Sequence, residues 1–322
     1  MRGLRLLLAL GICLNAQELV IRTTVPLILV PVSVTDAQGK TIDGLGESDF
    51  ELLDNGKPVR AVLETSNQPI ALIVAVQTSG ISGPALAKVQ KIGSMFGPLL
   101  VGEGGISAIL TYSENVKVFQ DFTKGGDEFA ARMKKIVPDG SGGRMNDAVV
   151  EAVKMFGSRP KYRRVLVVIG EAKDRGSQAK LEEAITKAQA ANVTIYPVTY
   201  SVYSTSFTSR GDERFAGTDK RVYQQGGGLD LLAVFGEIGR MGAQNAGEAL
   251  AKYTGGERVS FTKLVGLEKV IAKVGEDLPS QYLLSSLAEG TDGSRAKSYH
   301  EIQVRVGRKG ASVRARPGYW LE

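Results

Sequence analysis

The sequence predicts an α/β protein: a doubly wound, mostly parallel sheet joined to a small accessory β module built from both chain ends. Three observations predict it. In the middle of the chain, short apolar runs alternate with stretches whose apolar residues recur every three to four positions. At both ends, apolar and polar residues alternate with period two around turn signals. The only cysteine among the 322 residues is Cys13, so beyond it the fold rests on apolar packing and not on disulfides.

Taken in order, residues 1–16 have two arginines, an apolar run from Leu6 to Leu14, and the small Ala16. That is the layout of a cleaved signal peptide, which predicts an exported chain, periplasmic or secreted. The run falls short of the roughly 20 apolar residues of a membrane helix, and no other segment approaches that length. Residues 17–68 supply the first part of the accessory module. Residues 26–35, PLILVPVSVT, read as a strand closed by the turn DAQGK, and Asn55-Gly56 between extended stretches signals a hairpin.

Residues 69–286 form the α/β domain. Ile70–Val76, Ile106–Thr111, Val165–Ile169 and Val193–Val198 read as buried strands. Helical stripes lie at Phe129/Met133/Ile136/Val137, Val149/Val150/Val153 and Leu181/Ile185/Ala188, with Ser177 and Asn192 as caps of the third. Further helices are expected around 246–253 and 267–274. Residues 201–240 interrupt the rhythm as a long insert, far above the usual 2–6 residue connection. The insert carries Arg210-Gly211-Asp212, the tripeptide read by integrins. Residues 287–322 complete the accessory module as a hairpin about GRKG.

Composition narrows the chemistry. Net charge falls from +6 to +4 once Arg2 and Arg5 are removed (38 basic against 34 acidic residues), and no basic cluster interleaved with aromatics supports nucleic-acid binding. With one histidine, His300, expected at the surface, and no thiol beyond Cys13, triad hydrolysis and the usual zinc sites lose their main residues. No enzyme is expected.

The phrases VPVSVTDAQGKTIDGLGESDFELLDNGKPV, QTSGIS, GSGGRMNDAV, VLVVIGEAKDRGS, DLPSQYLLS and YHEIQVRVGRKGASVRARPGYW together resemble the von Willebrand factor A-type family, in its secreted bacterial branch. The resemblance implies a Rossmann-like sheet that engages ligands at the C-terminal edge of its strands. It also implies a metal-ion-dependent adhesion site there, built from a D-x-S-x-S loop, a Thr and a last Asp. Such an oxygen set suits Mg²⁺.

Here the match is degenerate. Gln77 stands for the first Asp, Ser79 matches, and Ile81 replaces the second Ser with Ser82 one residue on. Gly143-Arg144 occupies the Thr position, and Glu171 replaces the last Asp, with Asp174 close by. One carboxylate beside an added guanidinium disfavours a divalent ion, so no metal or cofactor is expected. Arg144 is expected either to pair with Glu171 in the metal's place or to point into solvent and leave the site empty.

The expected function is a metal-independent protein-interaction module of adhesion type, binding a protein through this edge and the insert. The alternatives are an envelope scaffold or assembly factor docking through the accessory module, a metal-dependent adhesin, and cell-wall hydrolysis by Glu171 or Asp174.

Overall fold

The computed structural model describes residues 27–64, 68–157, 159, 161–200, 231–261, 266–288 and 298–321. The expected signal peptide lies outside the described residues, as do Arg210 and Asp212 with the rest of 201–230.

The chain opens in the accessory module with strands β1 (Leu27–Thr35), β2 (Phe50–Asp54), β3 (Lys57–Val59) and β4 (Val62–Glu64). The α/β domain follows: β5 (Ile70–Gln77), helix α1 (Gly83–Phe96), β6 (Ile106–Tyr112), β7 (Val116–Thr123), α2 (Gly126–Met133) and α3 (Met145–Phe156). It continues through β8 (Arg163–Glu171), α4 (Leu181–Ala190), β9 (Val193–Tyr200), α5 (Leu231–Thr254), β10 (Val259–Phe261) and α6 (Gly266–Ser280). The chain then returns to the module with β11 (Tyr282–Leu287), β12 (Ser298–Val306), β13 (Ser312–Ala315) and β14 (Gly318–Leu321).

Among the described residues, six strands form the central sheet in the order β10-β9-β8-β5-β6-β7, parallel except for the antiparallel edge strand β7. Alternation along β5 sends Ala71, Ile73 and Ala75 into one apolar layer and Leu72, Val74 and Val76 into the other. Helices α3, α4 and α5 cover the first face, α1, α2 and α6 the second. A strand apolar on both faces is what a doubly covered parallel sheet requires. Two further sheets, β13-β1-β11-β4 and β14-β12-β2-β3, share a third core around Val30, Val32, Val34, Leu52, Leu284, Ile302 and Tyr319. Between β2 and β3, Asn55 (φ 49°) and Gly56 (φ 77°) make the expected two-residue turn, with Asp54 opposite Lys57.

Several expectations are corrected. Strand β11, assigned by sequence to the α/β domain, pairs with β1 and β4, so the chain re-enters the module at Tyr282 instead of 287. The strands flanking GRKG do not pair as a hairpin: β12 joins β2 and β14, while β13 joins β1. Residues 231–240 are not insert but the first turns of α5, because Val234 and Ile238 bury against the core. Ser177 does not cap α4, whose N-cap is Lys180; Asn192, at φ 50°, does follow its C-terminus in the left-handed conformation. His300 is buried, its Nδ1 2.8 Å from Asp54 Oδ1, and its ring stacks on Tyr319. Helix α1 and edge strand β7 had no counterpart in the sequence reading.

The two parts are joined by a polar latch. Asp277 at the end of α6 accepts from Arg314 Nη2 (2.6 Å), Ser33 Oγ (3.2 Å), Tyr196 Oη (2.7 Å) and Gln281 Nε2 (3.1 Å). Arg314 also donates to the Gly255 and Gly256 carbonyls. Among the described residues no helix is long and apolar enough to cross a membrane.

Candidate functional site

Strand β5 ends at Gln77, and the chain turns at once into a short 3-10 segment, Gly80–Ser82, that leads into α1. The turn is tied to its neighbours by the backbone: Thr78 N donates to Tyr112 O, Gly80 N to Gly140 O, and Asp139 N to Thr78 O. A second loop, 139–144, is tied to a third, because Gly143 and Arg175 exchange both backbone hydrogen bonds (3.1 and 2.9 Å). Three loops therefore meet at the C-terminal edge of the sheet, where crossovers leave room for ligands.

Glycine makes the space that Gln77 fills. A Cβ on Gly143 would lie 2.7 Å from Gln77 Nε2; one on Gly170 would lie 2.7 Å from Gln77 Oε1 and 2.0 Å from Tyr112 Oη. Into that space the buried Gln77 amide makes a complete set of bonds. Its Oε1 accepts from Glu171 N (2.7 Å), and its Nε2 faces Ser79 Oγ (3.0 Å), the Gly142 carbonyl (3.1 Å) and Glu171 Oε2 (3.2 Å). The opposite amide orientation would set its N–H₂ against the Glu171 N–H and its oxygen against three acceptors, so the network fixes which way it points. Ser79 Oγ in turn lies 2.9 Å from Ser82 Oγ. All four side chains are buried, Ser79 completely.

Gln77, Ser79, Ser82 and Glu171 thus come together. Arg144 does not join them. Its Nε bonds Asp147 Oδ2 at 2.5 Å and its Nη1 the Glu114 carbonyl, since residue 144 caps α3 and Asp147 lies one turn in. The partner of Glu171 is instead Arg175, Nη2 to Oε1 at 3.0 Å. Asp174 is near but otherwise engaged: it accepts from Asn146 N at the start of α3 (2.9 Å) and from Ser177 Oγ (2.6 Å). That bond satisfies a helix N-terminal N–H that has no partner within the helix. Asp147 accepts from Ala179 N and Gln178 N. Burial acts to raise its pKa, but these donors and Arg144 outweigh it and hold the carboxyl below its ordinary value.

Two tyrosines under the site went unnoticed in the sequence, because each reads as a strand residue. Burial pushes Tyr112 well above its ordinary pKa, with Tyr200, Asp174 and Glu171 adding to the rise, and its hydroxyl donates to the Ile169 carbonyl. Burial likewise brings Tyr200 to about 12, against a hydrogen bond with Ser82 and with Glu171 adding. Both are neutral at physiological pH.

The donor set does not fit the divalent cation that the resemblance implies. An amide N–H₂ points into the oxygens of Ser79, Gly142 and Glu171, where a cation would have to sit. The one carboxylate is neutralised by Arg175, and among the described residues no group of three or more His, Cys, Asp or Glu could hold a metal.

Residues 88–219 match the family model of the von Willebrand factor type A domain. The match begins after the Gln77–Ser82 loop, the most altered part of the site. No curated protein matches. Among solved structures the chain is similar to the conserved hypothetical protein BatB from Bacteroides thetaiotaomicron, at 14% identity and a TM-score of 0.42, over 64% of this chain and 99% of that one. It is similar to a von Willebrand factor type A protein from Catenulispora acidiphila, at 9% identity and a TM-score of 0.46, over 92% and 74% of the two chains. A third likeness is to the vWF domain of the type V pili tip protein Mfa5 from Porphyromonas gingivalis, at 10% identity and a TM-score of 0.44, over 65% and 94%.

Proposed function

We propose that this chain, with its von Willebrand factor type A domain, is an exported, adhesion-type protein-interaction module that binds without a metal ion through the C-terminal edge of its central sheet. The observation that carries the reading is the Gln77 amide, which bonds Ser79, Gly142 and Glu171 from the position a cation would take. A hard cation would have to displace that amide, break the Arg175–Glu171 pair and settle for a single carboxylate. What the edge offers a partner is the half-exposed guanidinium of Arg175, held rigidly over a buried base. The reading includes no catalytic step, and it is supported by Glu171 and Asp174 each being bound to fixed donors and by the nearby tyrosines being neutral.

Calorimetric titration of the purified chain with Mg²⁺ and Mn²⁺ tests the metal-independent part; no micromolar binding heat is expected. A micromolar heat abolished by Glu171→Ala sinks the reading. Export is tested by expressing the full chain in a bacterial host and fractionating the cells. The expected product is periplasmic or secreted and lacks about the first 16 residues.

A second reading, an envelope scaffold docking through the accessory module, is favoured by one observation. Leu27, Val62 and Leu287 are exposed at one end of the β13-β1-β11-β4 sheet, where Leu27 pairs with Leu287. Loss of partner capture on Leu287→Lys but not on Arg175→Glu selects this second reading.

A further inference from the structure

At the opposite end of the central sheet, where its strands begin, the accessory module closes over a cavity of about 160 Å³. Its wall is apolar on the module side (Leu27, Leu29, Pro31, Leu283), and it includes three arginines, Arg163 and Arg164 at the start of β8 and Arg316 just after β13. No Asp or Glu lines it.

The arginines are only partly satisfied. Arg163 donates to the Leu278 carbonyl and to Gln281, and Arg164 to the Ala191 carbonyl, but the Nε of each is buried without a partner. Arg316 is 2% exposed, and both its Nε and its Nη2 lack a partner. Among the described residues none of the three forms an ion pair. The carboxylate whose charge acts on Arg163, Asp277, already serves Arg314, Tyr196, Ser33 and Gln281. Arg314 and Arg316 stand two residues apart, and burial acts in opposite company. Burial lowers Arg314, but Asp277 above all more than compensates and leaves it raised; burial alone governs Arg316, which falls to about 10 even beside Tyr299 and Tyr319. A buried guanidinium with unmet N–H groups is strongly disfavoured unless an anion meets it.

We propose that this cavity is a binding site for a free tetrahedral oxyanion, phosphate or sulfate, held by Arg316, Arg163 and Arg164 between the two parts of the molecule. The cavity holds about five times the roughly 30 Å³ a liquid water occupies, room for such an ion together with several waters. Guanidinium forks match its oxygens in pairs. The bound ion would fasten the module to the α/β domain, because β1, β8 and the segment after β13 all contribute to its wall.

The test is thermal unfolding of the full chain in chloride and in sodium phosphate at matched ionic strength. A saturable rise in Tm of several degrees is expected in phosphate, because a ligand that binds only the folded state stabilises it by mass action. In chloride, Arg316→Met is expected to melt at or above the wild-type temperature, since it removes an uncompensated charge; in phosphate it is expected to fall below wild type. Arg164→Gln, at a less buried position, should halve the phosphate response or more while retaining the fold. No saturable phosphate effect, or an equal effect in wild type and both variants, overturns the proposal. Tighter binding of glycerol phosphate than of inorganic phosphate overturns the assignment to a free ion.

Discussion

The two ends of the central sheet solve the same electrostatic problem differently. At the C-terminal edge the buried polar groups around Gln77 answer one another: Gln77 bonds Ser79, Gly142 and both ends of Glu171, and Arg175 closes the set. At the N-terminal edge Arg163, Arg164 and Arg316 crowd one cavity with donors left over. The difference teaches that a site altered away from the pattern it resembles is not thereby a vacant one. The edge where a ligand is expected by resemblance is sealed by its own side chains, and the edge with unmet demand lies elsewhere.

The largest effect separates two neighbouring arginines. Arg314→Met strands Asp277 without its cationic partner and is expected to cost about 3 kcal/mol in urea denaturation. Arg316→Met in chloride is expected to cost nothing, and equal losses at the two positions would erase the contrast. Next comes Gly170→Ala, whose new methyl meets Tyr112 Oη and the Gln77 amide and should destabilise by about 2–3 kcal/mol. A neutral Gly170→Ala would mean that the Gln77 network is looser than its distances imply.

A smaller effect tests which arginine matters at the top. A double-mutant cycle of Arg175→Ala with Glu171→Gln should give a coupling of about 1 kcal/mol, and the Arg144/Glu171 cycle close to zero. The smallest effect depends on pH. Asp147 has its pKa lowered on folding, so its contribution is present above about pH 4, its unfolded value, and is lost as pH falls through the lower folded value. The stability difference between wild type and Asp147→Asn should therefore be constant from about pH 5 to 7 and shrink below pH 4.

Much of this was legible in the sequence, for physical reasons. Strands buried on both faces are continuous apolar runs, so β5, β6, β8 and β9 were found within two or three residues of their ends. Edge strand β7 was missed because it is half wet, and Lys117, Gln120 and Asp121 break its apolar run. In α5 the positions Val234 and Ile238 carried a helical stripe, obscured by Gly236 and Gly239. The site residues Gln77, Ser79, Ser82 and Glu171 were placed by the resemblance, whose pattern falls on the end of one strand and the loop after it and on the end of another. The guanidinium could not. Arg144 and Arg175 both fall in loops beside Glu171, and only the exchange of backbone bonds between Gly143 and Arg175 decides which of them faces it. The arginine cavity had no signature at all, since its members come from 163–164 and 316 and meet only through the closure of the accessory module.

That closure has a consequence for how the chain becomes a protein. Strand β1 finds its partners in β11 and β13, with Leu27 opposite Leu287 and Val32 opposite Ala315. The α/β domain is therefore an insertion within the module, and it can complete its own sheet while the first strands still lack their neighbours. A chain emerging from its N-terminus keeps LILVPVSVT unpaired until the last eighth of the sequence arrives. Contacts across so many residues form slowly, so assembly ends with the clasp and not with the core. An apolar strand held open that long is the segment most exposed to pairing with another chain, and the interval before the clasp closes is when a folding helper would act on it.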